Sequence, residues 1–104
     1  MVELRADLLS STDEAYVHEQ IALVRRHLPP HVPLRFVLRS VGQGGAFEGG
    51  EGDVFRVLQY ALVAGVEIID VELCWSDAPR AALGAACRNA RLRPYRAAAP
   101  PARL

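Results

Sequence analysis

Residues 34–45 of the chain read Leu34-Arg35-Phe36-Val37-Leu38-Arg39-Ser40-Val41-Gly42-Gln43-Gly44-Gly45. The apolar part of this stretch predicts a buried strand over residues 34–38, and the glycines predict that the strand runs into a loop. Burying a charge is costly unless the charge is paired or faces a polar cavity. A strand that is followed by Arg39 and Gln43 therefore indicates a site at the carboxyl edge of a parallel sheet.

Two further apolar runs carry charges in the same way, and helical patterns separate the three runs. Residues 2–9 predict a strand and a loop, and residues 66–73 predict a β-branched strand with acidic insertions. Amphipathic spacing predicts helices over residues 14–28, from a cap at Asp53 to Gly65, and from Ser76 or Asp77 to about Ala90. The order is three strand–helix units with short connections, which predicts an α/β fold with a parallel sheet.

The composition limits the function classes. With 104 residues and 51% hydrophobic content, the chain suits one small globular domain. Twelve basic and twelve acidic residues cancel, which predicts neither a nucleic-acid partner nor a membrane partner. The start, Met1-Val2-Glu3, lacks the pattern of a signal peptide, so a cytoplasmic location is expected.

Cysteine and lysine usage narrows the chemistry further. Cys74 and Cys87 are expected to be buried thiols rather than a disulfide framework, and the spacing of the histidines predicts no metal site. All twelve basic residues are arginine. A reaction that requires a lysine amine is therefore excluded for these 104 residues.

The candidate binding residues are Glu3, Arg5 and Arg39. Glu3 and Arg5 are two residues apart and point to one face of their strand, while Arg39 follows the neighbouring strand. Two guanidinium groups and a carboxylate suit a small, hydroxylated, anionic ligand. The alternative is an internal ion pair between Glu3 and one arginine that only joins adjacent strands. Asp70 and Glu72 form a similar pair on the third strand.

The glycine-rich stretch 42–52 and the C-terminal residues receive separate interpretations. The stretch lacks the glycine patterns of nucleotide-binding loops, and a mobile loop or lid over the site is predicted instead. Residues 91–104 are rich in Ala, Pro and Arg and predict a disordered tail.

Three blocks together resemble one known family. They are ELRADLL at residues 3–9, FVLRSVGQGGAF at residues 36–47 and GVEIIDVEL at residues 65–73. In this order and spacing they resemble type I 3-dehydroquinate dehydratase, and most closely the dehydratase domain of the fungal pentafunctional AROM polypeptide. In that domain, too, glutamine occupies the position of Gln43.

The resemblance implies a partial (β/α)8 barrel of three parallel β-α units, with residues 1–90 as barrel strands two to four. It implies a carbon–oxygen lyase that converts 3-dehydroquinate to 3-dehydroshikimate in the shikimate pathway, without a cofactor. Glu3, Arg5 and Arg39 match positions around the substrate hydroxyls. Gln43 matches a position that pairs with a catalytic histidine, and Asp70 and Glu72 match an acidic block for which a structural role is equally open.

This sequence lacks the residues that carry out the covalent chemistry of the family. The family forms a Schiff base through a lysine and uses a histidine as general acid and base, and neither is found at a matching position. We expect a fragment that is inactive alone. The alternative is a module that senses quinate or dehydroquinate, as in quinate-pathway repressors. Association with the remaining barrel segments, or with further copies of the chain, is a third expectation because the sheet has open edges.

Overall fold

The computed structural model describes residues 1–89. Three strands and three α-helices alternate along this part of the chain, in the predicted order. Their bounds are β1 (Val2–Arg5), α1 (Glu14–Arg26), β2 (Leu34–Val37), α2 (Glu51–Ala64), β3 (Ile68–Ile69) and α3 (Asp77–Asn89). Short 3-10 turns follow the first two strands, at Ala6–Leu8 and Val41–Gln43. The predicted tail, residues 91–104, lies outside the described residues.

The strands form one parallel sheet with β2 at its centre. Leu4, Phe36 and Ile69 are register partners across the three strands, so their side chains share one face. Phe36 has no exposed surface, and Ile69 is also fully buried. This face of the sheet is therefore the one that packs into the hydrophobic core.

The helices cover that face with apolar residues at helical spacing. Val54, Val57, Leu58 and Ala61 of α2 recur three and four positions apart and are all buried. The other helices add Val17, Ile21, Leu83 and Cys87 to the same cluster. Burying each large apolar side chain stabilises the fold by about 1.5–3 kcal/mol. Within residues 1–89, no helix is both long enough and apolar enough to cross a membrane.

The third strand is much shorter than predicted. The apolar pattern predicts a strand over residues 66–73, but only Ile68–Ile69 pairs with β2. Just before this pair the Glu67 N–H donates to the Leu34 carbonyl at 3.2 Å, and the last ladder bond runs from the Asp70 N–H to the Phe36 carbonyl at 3.1 Å. Beyond it, the backbone N–H of Ser40 donates to the side chain of Glu72 at 3.2 Å. A carboxylate thus takes the place of a strand partner, and the ladder ends.

The predicted start of α2 is wrong, whereas its predicted end is correct. The helix begins at Glu51 with Gly50 as its cap, whereas the sequence predicts a cap at Asp53. Asp53 is the third helical residue, and its carboxylate accepts the Gly50 N–H at 3.3 Å, which satisfies a donor that the helix leaves free. At the other end, Gly65 has φ 84° and terminates the helix as predicted.

Candidate functional site

Charged side chains line the face of the sheet that is opposite the core. Glu3 on β1 and Arg35 on β2 are register partners, and Arg5 lies on the same face two residues after Glu3. Arg35 donates to Asp70, with Nε 3.0 Å from Oδ1 and Nη2 bonded to Oδ2. This polar face (Glu3, Arg5, Arg35 and Asp70) therefore contains a two-point ion pair that joins β2 to the end of β3.

A second two-point ion pair lies just past the end of β1. Arg5 donates from Nε to Asp7 Oδ1 at 2.8 Å and from Nη2 to Asp7 Oδ2 at 2.7 Å. The Asp7 side chain has no exposed surface, while that of Arg5 is 26% exposed. The pair therefore places a buried carboxylate beneath a guanidinium group that solvent and small ligands can reach.

The pKa of Asp7 shows that its ionised form is favoured. Burial alone would raise this pKa. The hydrogen bonds from Arg5 and from the backbone N–H of Ala46, together with the positive charge of Arg5, outweigh burial and hold the pKa of Asp7 below its ordinary value of 3.8. Asp7 is therefore a charged acceptor at neutral pH.

Asp7 also holds the loop that follows β2. The Ala46 N–H donates to Asp7 Oδ2 at 3.0 Å. Within this loop, residues 39–47 (the 39–47 loop), the N–H groups of Gln43 and Gly45 donate to the Ser40 carbonyl at 3.0 and 2.8 Å. Gly45 packs so closely that a Cβ there would lie 2.2 Å from the Arg39 carbonyl oxygen. These contacts hold residues 39–47 against Asp7 and Arg39 in this structure, and the mobile lid stays a prediction.

Glu72 holds the same loop from the other side. It is 7% exposed and accepts hydrogen bonds from the Ser40 N–H and Oγ–H at 3.2 and 3.3 Å. Its second oxygen accepts the indole N–H of Trp75 at 3.1 Å. Glu72, which follows β3 by three residues, thus acts on the 39–47 loop through Ser40, consistent with the structural role that the sequence left open.

The predicted binding residues do not form one cluster. Glu3 is exposed and, among residues 1–89, forms no ion pair, so the alternative of a Glu3–arginine bridge is not observed. Arg39 is half-buried at the start of the loop that Asp7 contacts through Ala46, and its guanidinium group forms no ion pair with residues 1–89. Asp7 therefore links Arg5 to the loop that begins with Arg39.

Gln43 belongs to a neighbouring cleft. The cleft has a volume of about 540 Å³ and lies between the 39–47 loop and the segment that follows β3. Gln43, Phe47, Cys74 and Trp75 are among its lining residues, whereas Glu3, Arg5 and Arg39 are not. The cleft is therefore distinct from the polar face, and the 39–47 loop, which Asp7 contacts through Ala46, forms one wall of it.

Sequence reasoning missed Asp7 and Arg35. Both belong to motifs that were visible, because Asp7 follows Arg5 by two residues and Arg35 precedes Arg39 by four. The alternation of the strand places Arg35 on the polar face, and this signal could have identified it. The contact between Asp7 and Ala46, which are 39 residues apart, has no local signal.

The histidine and cysteine side chains that could bind a metal do not gather at the polar face. The His18 ring donates from Nε2 to the Tyr60 carbonyl at 3.0 Å, between α1 and α2. Cys87 is buried as predicted, but Cys74 is exposed, which corrects that part of the prediction. Within residues 1–89, no three side chains of the metal-binding types lie close enough together to hold an ion.

Comparison with known proteins supplies the family context. The family model described as type I 3-dehydroquinase matches residues 1–92. The chain is 40% identical over 73 residues to the pentafunctional AROM polypeptide of Komagataella phaffii, covering 69% of the chain and 5% of that protein. It is 34% identical over 99 residues to that of Schizosaccharomyces japonicus, covering 88% of the chain and 6% of that protein.

A solved structure agrees with the sequence matches. The dehydroquinate dehydratase and shikimate dehydrogenase structure from S. pombe AroM superposes with a TM-score of 0.69 at 31% identity. The match covers 77% of this chain and 16% of that one, so the chain spans a small part of the proteins that it resembles. The similarity confirms the predicted fold class, a partial (β/α)8 barrel of three parallel β-α units.

Proposed function

Because the chain belongs to the type I 3-dehydroquinase family, we propose that it forms part of the substrate-binding half of a 3-dehydroquinate dehydratase site. Residues 1–90 would supply barrel strands two to four. The ligand would be a small hydroxylated carboxylate such as 3-dehydroquinate. The observation that carries the proposal is that buried Asp7 binds Arg5 and, through Ala46, holds the loop that begins with Arg39 at the carboxyl edge of the sheet.

Each candidate residue has a proposed role. Arg39 offers a guanidinium group that is free of ion pairs with residues 1–89, so it suits the ligand's carboxylate or hydroxyl oxygens. Arg5 uses Nε and Nη2 on Asp7 and has Nη1 left to donate. Exposed Glu3 would accept hydroxyl protons from the ligand. Gln43 would occupy the position that faces the catalytic histidine of a complete site.

Dehydration by this chain alone is not proposed. In the family mechanism a lysine amine attacks the substrate ketone and water leaves. The resulting iminium then accepts the electrons released when the adjacent proton is removed, and the hydroxyl group departs. These 104 residues contain no lysine. The chain would therefore bind the substrate, and an amine would have to come from outside it. The absence of a cofactor and the cytoplasmic location remain predictions.

A titration of the 104-residue chain with 3-dehydroquinate tests the binding proposal. We expect saturable binding that weakens at least about tenfold in Arg39→Gln, because a charge-assisted hydrogen bond is lost. Arg56→Gln is the matched control, since Arg56 is an exposed arginine on α2 whose ion pair is with Asp53. Equal binding by all three proteins, or none by the wild type, would contradict the proposal.

Association with further barrel segments is part of the same proposal. β1 and β3 each pair only with β2 within residues 1–89, so each outer edge lacks a strand partner there. Such edges, beside a charged face, favour pairing with other strands. The chain should therefore form a complex with the remaining segments of the S. pombe AroM dehydratase barrel, measurable by sedimentation. A persistent monomer in that mixture would count against this part of the proposal.

A sensing or interaction module is the second candidate function. It is favoured by a chain that contains Arg5 and Arg39 but no lysine. The two candidate functions predict different results when the chain is mixed with the remaining barrel segments. Recovery of dehydration when a lysine-bearing segment is added favours the dehydratase site, whereas binding of quinate without turnover in the same mixture favours a sensor.

A further inference from the structure

Asp7 joins β1 to the 39–47 loop, which is far from it in sequence. Oδ1 accepts Arg5 Nε at 2.8 Å, while Oδ2 accepts both Arg5 Nη2 at 2.7 Å and the Ala46 N–H at 3.0 Å. The contact with Ala46 spans 39 residues. One carboxylate group thus connects the guanidinium group on β1 to the backbone of the 39–47 loop.

This carboxylate has no surface from which it could touch a ligand. The Asp7 side chain is 0% exposed, whereas its partner Arg5 is 26% exposed. Its two partners, Arg5 and Ala46, both donate hydrogen bonds, and both belong to segments that carry candidate binding residues. Any effect of Asp7 on ligand binding must therefore act through Arg5 and the 39–47 loop.

We propose that Asp7 is a positioning residue, which holds Arg5 and the 39–47 loop in one fixed arrangement before an anionic ligand arrives. The inference rests on the proposed binding function and names a residue that acts behind the binding groups. A site whose donors are already ordered loses less conformational entropy on binding, so Asp7 contributes to affinity without touching the ligand.

The neighbouring contacts show why the loop depends on this residue. Ala46 follows Gly45, which packs directly on the backbone of Arg39. The N–H of Phe47 then donates to the Arg39 carbonyl at 3.1 Å. Releasing Ala46 from Asp7 therefore loosens the residues that fix the Arg39 backbone. At the far side of the loop, Glu72 still holds Ser40, so the loop should loosen locally rather than unfold.

The variant Asp7→Asn tests the inference because an amide cannot accept all three hydrogen bonds. Its NH₂ group must face a donor, either an Arg5 N–H or the Ala46 N–H. We expect the Ala46 amide hydrogen to exchange at least about tenfold faster, while the Phe36 amide in β2 keeps its protection. We also expect the Arg5 Nε–H resonance to shift and 3-dehydroquinate to bind at least about tenfold more weakly.

Asp77→Asn is the control for the loss of one acidic residue. Asp77 also pairs with an arginine, Arg80, but it is 95% exposed at the start of α3. It should leave Ala46 exchange and ligand affinity unchanged. Unchanged Ala46 exchange and an unchanged Arg5 resonance in Asp7→Asn would overturn the inference, as would unchanged affinity in a wild type that binds.

Two further results keep the inference separate from the proposed function. If wild-type protein does not bind 3-dehydroquinate, the binding proposal fails. The Ala46 amide exchange rate and the Arg5 Nε–H chemical shift in Asp7→Asn still decide whether Asp7 positions the loop. If Asp7→Asn does not fold, Ala46→Pro removes the same donor at an exposed loop position and leaves the Arg5–Asp7 pair intact. Weaker ligand binding in folded Ala46→Pro supports the inference, and wild-type affinity overturns it.

Discussion

Arg35 on β2 and Asp70 at the end of β3 form a two-point ion pair across the polar face, with Arg35 Nε 3.0 Å from Asp70 Oδ1. The Asp70 side chain is 6% exposed, whereas that of Arg35 is 25% exposed. The pair therefore compensates a nearly buried carboxylate at the point where the short β3 strand ends. Breaking the pair should destabilise the whole sheet, because β3 has only two paired residues.

Arg35→Met should destabilise the fold by about 3–5 kcal/mol, because it leaves the Asp70 charge buried without a partner. The double variant with Asp70→Leu should recover much of that loss, since no buried charge then remains. Urea unfolding measures both. Arg80→Met, which breaks the exposed pair with Asp77, is the control and should cost less than about 1 kcal/mol. Equal costs for the buried and the exposed pair would contradict the prediction.

Gly45→Ala should destabilise the 39–47 loop by about 1–3 kcal/mol, because the added Cβ would lie 2.2 Å from the Arg39 carbonyl oxygen. Gly42→Ala is the matched control in the same loop, where a Cβ would meet no atom within 4 Å. Thermal unfolding and the amide exchange of Ala46 report the effect. A neutral Gly45→Ala would mean that the loop does not approach Arg39 as closely as described.

Stability should fall as acid protonates Asp7. The fold holds the pKa of Asp7 below its ordinary value of 3.8. Its contribution is therefore complete above about pH 4, where the unfolded aspartate is ionised, and is lost as the pH falls through the lower folded value. Urea unfolding between pH 7 and pH 2.5 should show the wild-type advantage over Asp7→Asn shrinking below about pH 4. An advantage that stays constant across this range would exclude Asp7 as its source.

The two thiols should react in sequence. Cys74 is exposed, whereas Cys87 lies on the buried face of α3 in the core. Partial burial, and secondly the negative charge of Glu72, raise the pKa of the Cys74 thiol, so it should react more slowly than free cysteine at pH 8. A colorimetric thiol reagent should modify one thiol in the folded protein and the second only after unfolding. Cys74→Ser should abolish the first phase; two equal phases would disagree with the structure.

Local sequence patterns were sufficient for the elements and the core. The spacing of Val54, Val57 and Leu58 defines one face of α2, and Gly65 marks its end. The resemblance of three short blocks then identified the barrel. These features depend on neighbours in sequence, which is why they could be predicted.

Features that depend on distant partners were not predicted. The length of β3 is set by Glu72, which takes the Ser40 N–H, and the loop is fixed by Asp7 through Ala46. A carboxylate in an apolar run looks the same whether it will bind a ligand, an arginine or a backbone amide. The roles of Asp7 and Arg35 therefore became visible only when the strands were placed side by side.

Turnover of 3-dehydroquinate by the 104-residue chain tests the central claim, that these residues bind the substrate but do not dehydrate it. The enone product absorbs in the ultraviolet, so its formation can be followed directly at a substrate concentration that saturates binding. We predict no rise in absorbance above the rate in buffer, because the chain has no lysine amine to form the iminium. A rise in proportion to protein concentration would contradict the account.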